Sequence, residues 1–379
     1  MKILHLLPIL KKGGAENLVL MLSKLAVSDS TNVSVLIGYC DDSIMLENLK
    51  KNAQVDVISD IPITRLRLYV QSFIWIIRRR VYISGFDIVH AHLTLASFMT
   101  SFLYIYSRLF VKNPPKFVET NHSCGSPLNF IQLRLKKTLY FFRDGIAHIN
   151  HTPTWAHFPK FKNMICEVIY NGAPEQQQEF KPLQIENYMN SIGFNKNSKF
   201  TIGTISRLEL DREPSKFIKI FSLLNQKDPH RFNFILGGSG SQEESLKKLA
   251  ASYGILKKCI FAGYTEDPYL PLNLMNIFLS INVEGSTGLA GLEAAQAGVP
   301  IVGIQWLQTY QSQPEDWIWS STKIEDVANK VYDLSLDQEI LSRMQIQQRE
   351  FVFKHYSEHQ MLKNYLSFYT QVCQHSKKA

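Results

Sequence analysis

The chain alternates short apolar runs with segments whose apolar residues recur every three or four positions. The runs Lys2–Leu7, Asn32–Gly38, Gln54–Ile58, Asp87–Ala91, Lys116–Glu119, Gly145–Ile149 and Glu167–Ile169 have the length and apolar character of strands buried on both faces. Between them lie amphipathic segments such as Asn17–Ala26. That rhythm predicts βαβ units and a parallel, doubly wound sheet. Asn171-Gly172-Ala173-Pro174 closes the series, and the polar stretch Glu175–Ser198 reads as a linker. A second series follows at Phe200–Ile205, Phe232–Leu236, Cys259–Ala262, Ile277–Ile281 and Pro300–Ile304. The expected class is therefore α/β: two Rossmann-like halves hinged near residue 180 and facing across a cleft, with ligands at the carboxyl ends of strands. Three helices are expected at the end, Glu325–Leu336, Asp337–His355 and Ser357–Cys373. The stripe Met361, Leu362, Tyr365, Phe368 and Tyr369 on the last reads as core.

Composition narrows the class. With 379 residues, 45% of them hydrophobic, the chain is long enough for two or three domains. Cys40, Cys124, Cys166, Cys259 and Cys373 are scattered, without CxxC spacing, which argues against a disulfide frame or zinc knuckle and for a reducing compartment. The apolar start Ile3–Leu10 lacks a cleavage pattern and runs into Lys11, Lys12, Gly13 and Gly14, so it reads as a first strand rather than a signal peptide. No apolar run approaches the roughly 18 to 20 residues that span a bilayer, and the expectation is a soluble or peripheral protein.

Charge is uneven. Residues 1–180 hold 20 Lys and Arg against 13 Asp and Glu, and the remainder 21 against 20. In the first half the basic residues interleave with apolar ones: Arg65, Arg67, Tyr69, Phe73, Trp75, Arg78, Arg79 and Arg80, then Leu128, Phe130, Arg134, Lys136, Lys137, Tyr140, Phe141, Phe142 and Arg143. Such helices lie on an anionic membrane surface or present a solvated face over a core, and sequence leaves both open. Nucleic acid is disfavoured, since no recognition module accompanies the charge.

Candidate chemistry falls where strands run into glycine-rich turns. Asn282–Pro300 is a strand-to-helix turn followed by an Ala-rich helix, and backbone N–H groups at such a turn suit phosphate. Glu284 and Glu293 bracket it with carboxylates that accept hydrogen bonds from hydroxyls. A sugar nucleotide combines both chemistries. After Ile205 come Arg207 and Arg212, two permanent cations suited to a diphosphate. Leu236-Gly237-Gly238-Ser239-Gly240 is a second glycine-rich turn. Thr120-Asn121-His122-Ser123 follows a strand, where a histidine could bond a substrate hydroxyl. His90 and His92 alternate on one strand, but no third ligand is evident, and His148 and His151 are no better, so no metal site is expected.

Taken together, these residues resemble the family 4 glycosyltransferases of the GT-B fold, which are retaining enzymes. The resemblance runs along essentially the whole chain: Gly13-Gly14-Ala15-Glu16, Phe86-Asp87-Ile88-Val89-His90-Ala91-His92, Thr120-Asn121-His122, Val168-Ile169-Tyr170-Asn171-Gly172, Ser206-Arg207-Leu208 with Arg212, Leu236–Gly240, Phe261-Ala262-Gly263-Tyr264 and Asn282–Pro300. It implies that Arg207 and Arg212 clamp the donor diphosphate and that Glu293, heading its helix, accepts the ribose hydroxyls. It further implies that Thr287, Gly288 and Leu289 offer N–H groups to phosphate, that Glu284 holds hydroxyls of the transferred sugar and that Gly13 and Gly14 admit the phosphate. His122 would contact the sugar near the reacting carbon, and Tyr264 would border the nucleobase. No cofactor or divalent metal is implied.

Three departures from the family stand out. The two glutamates of its motif are separated by seven residues, whereas eight separate Glu284 from Glu293; either the loop holds one extra residue or the first carboxylate role is lost. Arg212 stands where the family has Lys. Gly303–Trp319 lacks the usual glycine-rich turn and carries Gln305, Trp306, Gln308, Tyr310, Trp317 and Trp319.

The resulting expectation is a hexosyltransferase moving a hexose or N-acetylhexosamine from a nucleotide sugar, a UDP-sugar, to a glycan acceptor. The acceptor would be a lipid-linked oligosaccharide or lipopolysaccharide at the cytoplasmic membrane face. Residues 1–178 with the crossing helix 356–379 would form the acceptor-side domain, and 179–355 the nucleotide-sugar domain. A sugar-nucleotide epimerase of the same fold and a non-catalytic nucleotide-sugar-binding partner are the alternatives.

Overall fold

The computed structural model describes residues 1–11, 13–28, 31–59, 67, 70–71, 74, 78, 82–122, 134, 137–149, 164–173, 180–194, 200–265, 267–282, 288–305 and 317–375. The chain divides into two compact units, Met1–Asn171 with Glu358–Ala379, and Gly172–Ser357.

The first unit is built on a parallel sheet of β1 (Lys2–Leu10), β2 (Asn32–Cys40), β3 (Gln54–Ser59), β4 (Ile88–His92), β5 (Lys116–Asn121), β6 (Gly145–His148) and β7 (Ile165–Val168). Their order is β3-β2-β1-β4-β5-β6-β7. Neighbours run parallel at every step, and apolar side chains line both faces, as near-continuous hydrophobic strands require. β1 pairs with β4 only as far as Leu6, while its pairing with β2 continues to Leu10. Pro8, which has no N–H to donate, falls in the part of β1 that has run past β4. The helix Glu358–His375 returns to this unit and buries Met361, Tyr365, Phe368, Tyr369 and Val372 against Ile3, Ile88 and Val118. A Cβ at Gly145 would press within 2.8 Å of Val372, so only glycine lets the helix lie that close.

The second unit carries β8 (Phe200–Ile205), β9 (Phe232–Gly237), β10 (Cys259–Gly263), β11 (Ile277–Asn282), β12 (Ile301–Gln305) and β13 (Ser320–Ser321), ordered β10-β9-β8-β11-β12-β13. The helices Ser215–Lys227 and Ile324–Leu336 bury Phe217, Phe221, Val327 and Val331 with Phe234, Leu236 and Leu279 of the sheet.

Several expectations need correction. The first helix begins at Gly14 rather than Asn17. The polar stretch read as a linker contains a helix, Pro182–Ser191. Proline suits its first turn, and Gln184 Oε1 accepts the Lys181 N–H at 2.9 Å; none of its residues is fully buried, so periodicity left no trace. Arg143, read among membrane-facing basic residues, is buried and paired with Glu119, Nε to Oε2 at 3.0 Å. Its guanidinium also donates to Ser97 and Ser101. Tyr140 of the same stretch is likewise buried.

Other residues of the basic segments are exposed. Arg67, Val70, Ile74 and Arg78 are helical and exposed at spacings of three and four, which sets them on one face. Phe102, Ile105 and Leu109 repeat that pattern on the helix Leu93–Phe110. Arg65, Tyr69, Phe73, Trp75, Arg79, Arg80, Leu128, Phe130 and Lys136 lie outside the described residues. Among the described residues no helix is long and apolar enough to cross a membrane.

Candidate functional site

In each sheet the strand order reverses once, between β1 and β4 and between β8 and β11. Open α/β sheets bind ligands beyond the carboxyl ends of strands at such a reversal. Of the expected site residues, Gly13 and Gly14 follow β1 and Arg207 and Arg212 follow β8 at these reversals, while His122 follows β5 and Tyr264 follows the edge strand β10.

In the second unit, Arg207 and Arg212 follow β8. Arg207 Nη2 donates to Asp211 Oδ2 at 2.8 Å, and Arg212 Nε lies 4.0 Å from the same oxygen. Both guanidinium groups stay largely in solvent, so together they form a cationic rim. The loop is fastened to the glycine-rich turn after β9. Leu208 N–H donates to the Ser239 carbonyl at 3.0 Å, and Gln242 N–H to the Leu208 carbonyl at 2.9 Å. Glu209 accepts from the Ser241 N–H and hydroxyl at 3.0 and 2.6 Å, and these bonds hold its carboxyl below the usual range. Gly238, at φ 109, would drive a Cβ into the Ser206 carbonyl. The glycines of Leu236–Gly240 thus serve a close backbone approach between two loops.

Tyr264 follows β10 and is exposed. Glu284 and Thr287 lie outside the described residues, as do residues 306–316 of the stretch that departs from the family. The helix Gly288–Gln296 opens at Gly288, which takes φ 68, with Leu289 next. Glu293 therefore lies in its second turn, not at its head, because the Gly-Leu-Ala-Gly-Leu run is already helical. Glu293 is buried, and that burial pushes its carboxyl up to about 8, with Asp267 adding repulsion. A buried acid that is protonated at neutral pH is unusual away from functional sites.

In the first unit, Gly13 caps the helix Gly14–Ser23 in an extended conformation. A Cβ on Gly13 would collide with the Glu16 carboxylate, whereas one on Gly14 would meet nothing. The room at Gly13 is thus already used by Glu16, which is buried and whose carboxyl is raised by that burial.

His122 follows β5 and is half-buried. Its Nε2 lies 3.1 Å from His92 Nδ1, and His92 Nε2 lies 3.0 Å from His5 Nδ1. His90 bonds the Tyr369 hydroxyl through Nδ1 at 2.7 Å and Thr120 Oγ1 through Nε2 at 2.8 Å. His5 is the residue that sequence spacing missed. The signal is strand pairing, which sets His5 opposite His90 across 85 positions of chain. With it, His5, His90 and His92 offer ligand atoms within 4.8 Å of one another, the third imidazole that the sequence did not bring into view.

Residues 184–351 match the family model of glycosyl transferases group 1. Two curated proteins are similar over part of the chain. The poly(ribitol-phosphate) alpha-N-acetylglucosaminyltransferase of Staphylococcus aureus (strain COL) is 21% identical over 277 residues, 67% of this chain and 53% of that protein. The Vi polysaccharide biosynthesis protein VipC/TviE of Salmonella typhi is 27% identical over 157 residues, 40% of this chain and 27% of that protein. The chain thus spans about half the length of the first and about a quarter of the second. Among solved structures, Anabaena HepE in complex with UDP and glucose superposes with a TM-score of 0.77 at 16% identity, covering 97% of this chain and 98% of that one. The α/β two-sheet architecture is the GT-B fold of such neighbours.

Proposed function

We propose that the protein is a retaining glycosyltransferase of family 4, transferring a hexose or N-acetylhexosamine from a UDP-sugar to a glycan hydroxyl. The observation that carries this reading is that Arg207 and Arg212 follow β8 and buried Glu293 lies on the helix that follows β11, the two strands that flank the reversal of the second sheet. Two fixed cations answer a diphosphate, and a buried carboxyl answers a pair of ribose hydroxyls. The match of residues 184–351 covers these same residues, and a structural neighbour was solved with UDP and glucose.

In this reading the bond between the sugar C1 and the diphosphate oxygen breaks, and a bond from C1 to the acceptor oxygen forms on the same face. The acceptor proton passes to the departing phosphate, and the arginines stabilise the charge gathering there. Glu284 holds hydroxyls of the transferred sugar, while Thr287, Gly288 and Leu289 offer N–H groups to phosphate. Gly14 gives the diphosphate access, with Gly13 shaping the same turn. His122 touches the sugar near C1, and Tyr264 borders the base. No divalent metal takes part.

The acceptor is a lipid-linked glycan at the cytoplasmic membrane face. Two exposed helical faces support this, one carrying Arg67, Val70, Ile74 and Arg78 and the other Phe102, Ile105 and Leu109, since apolar residues flanked by arginine suit an anionic interface.

The test is a donor screen without added metal, reading thermal shift and nucleotide release over UDP-, GDP-, ADP- and TDP-sugars. Stabilisation and slow hydrolysis with one UDP-sugar, both lost in Arg207→Ala and Glu293→Ala, is the expected result; no shift with any nucleotide sugar would end the reading. Flotation with anionic vesicles tests the membrane clause, which fails if the protein stays unbound yet fully active on soluble acceptors.

A further inference from the structure

One face of the first sheet carries a line of imidazoles. Along β1, His5 shares a face with Ile3 and Leu7; along β4, His90 and His92 share one with Ile88; along β5, Thr120 continues to His122. Parallel register sets His5 against His90 and His92 against Thr120. The helix Glu358–His375 closes over this face, and the hydroxyls of Tyr369 and Tyr365 bond His90 and Thr120.

His5, His90 and His92 are fully buried. Burial lowers their basicity, His5 to about 3, with neighbouring imidazoles adding to the effect at His90 and His92. All three are therefore neutral near pH 7. A neutral imidazole has one N–H and one lone pair, so a chain of them has a direction.

The chain runs His5 Nδ1 to His92 Nε2, then His92 Nδ1 to His122 Nε2. With His92 neutral, only two proton orders satisfy both links. In the inward order His122 donates to His92 and His92 to His5, which leaves the His5 proton on Nε2. That nitrogen is buried and has no hydrogen-bond partner, and an orphaned buried N–H is among the rarest features of folded proteins. In the outward order His5 donates from Nδ1, His92 donates from Nδ1, and only a bare lone pair is left at the dead end. The outward order is the less costly one.

His90 lies outside this chain, because both of its nitrogens are taken by Tyr369 and Thr120. The same hydrogen bonds weigh against a metal among His5, His90 and His92. Of their six ring nitrogens, five already have hydrogen-bond partners, and only His5 Nε2 has none.

We propose that His5 and His92 form a one-way hydrogen-bond relay that fixes the proton of His122 on Nδ1, making His122 a hydrogen-bond donor rather than a base. That this donor faces the transferred sugar rests on the function proposed above; the tautomer itself does not. His5 and His92 are thus positioning residues, acting on the substrate only through His122.

The experiment is a long-range proton–nitrogen correlation spectrum of the full chain labelled with 15N-histidine, with resonances assigned through single His→Gln variants. Protonated Nδ1 and bare Nε2 at His5, His92 and His122 are expected. His122 carrying its proton on Nε2, or one tightly held metal per chain by elemental analysis, would overturn the relay. His5→Asp replaces the first donor with an acceptor near Nδ1 and should turn the chain round, moving the His122 proton to Nε2, whereas His5→Asn keeps an N–H near Nδ1 and should hold it on Nδ1. If His5→Asp fails to fold, the wild-type spectrum still decides the tautomer. With a donor in hand, His5→Asp should lower kcat about tenfold with KM little changed, the size of one misdirected hydrogen bond. Loss of all donor turnover in the wild type would sink the proposed function, while the spectrum alone would still decide for or against the relay.

Discussion

Arg207 and Asp211 are joined by a 2.8 Å ion pair in which both side chains remain about half exposed, 59% and 49%. A carboxylate thus occupies a cation proposed to meet the donor diphosphate. Such a pair is worth about 0.2 to 1 kcal/mol. Asp211→Asn should therefore tighten UDP binding by up to about fivefold at low salt, and Arg207→Ala should weaken it more than tenfold. Titration calorimetry at two ionic strengths measures both; an Asp211→Asn variant that binds UDP more weakly would assign the carboxylate a direct role.

Glu293 predicts a pH dependence of stability. Its ordinary value of 4.5 rises to about 8 in the folded chain, so between these values the folded state holds a proton that the unfolded state has released. This contribution is complete below about pH 4.5 and fades as pH rises through 8. Calorimetric scans should show the second unit less stable at pH 8.5 than at pH 6, with the slope flattened in Glu293→Gln. An identical slope in the variant would assign it elsewhere.

The buried pair of Arg143 and Glu119 predicts asymmetric mutational costs. Glu119→Ala strands a guanidinium in the core and should destabilise the first unit by about 3 to 5 kcal/mol. Replacing both partners, Glu119→Leu with Arg143→Met, should recover most of that loss, although Ser97 and Ser101 then lose a partner. Denaturation midpoints of the wild type and both variants test it.

Gly238→Ala should be costly out of proportion to one methyl group. The position combines φ 109 with a Cβ that would strike the Ser206 carbonyl, so the loop carrying Arg207 must shift. The expected outcome is a loss of more than about 1 kcal/mol in stability together with weakened UDP binding. Unchanged binding would show that the loop tolerates the shift.

Much of the fold was legible in the sequence, because parallel strands buried on both faces announce themselves as apolar runs. β8, from Phe200 to Ile205, and β9, starting at Phe232, are read to within a residue. Ends were less clear: β1 runs to Leu10, past Pro8, because β2 keeps pairing after β4 has stopped. The helix Pro182–Ser191 was invisible because helical periodicity records burial, and this helix buries none of its residues fully. Arg207 and His122 stand just after strands, as read, because such loops carry recognisable polar signatures; Tyr264 follows β10, and only the family resemblance singled it out. His5 was not found, since a histidine within an apolar strand gains its partner, His92, from a neighbouring strand 87 residues away.

The helix Glu358–His375 gives the first unit a peculiar history. Its tyrosines finish the face on which His90 and Thr120 rest, yet it is made after all of Gly172–Ser357. During synthesis the second unit can close on its own residues, while the unit that starts the chain waits with a bare apolar face. The amino-terminal half is therefore the last to be completed, and a chain cut short before residue 358 would be closed at its end and open at its beginning.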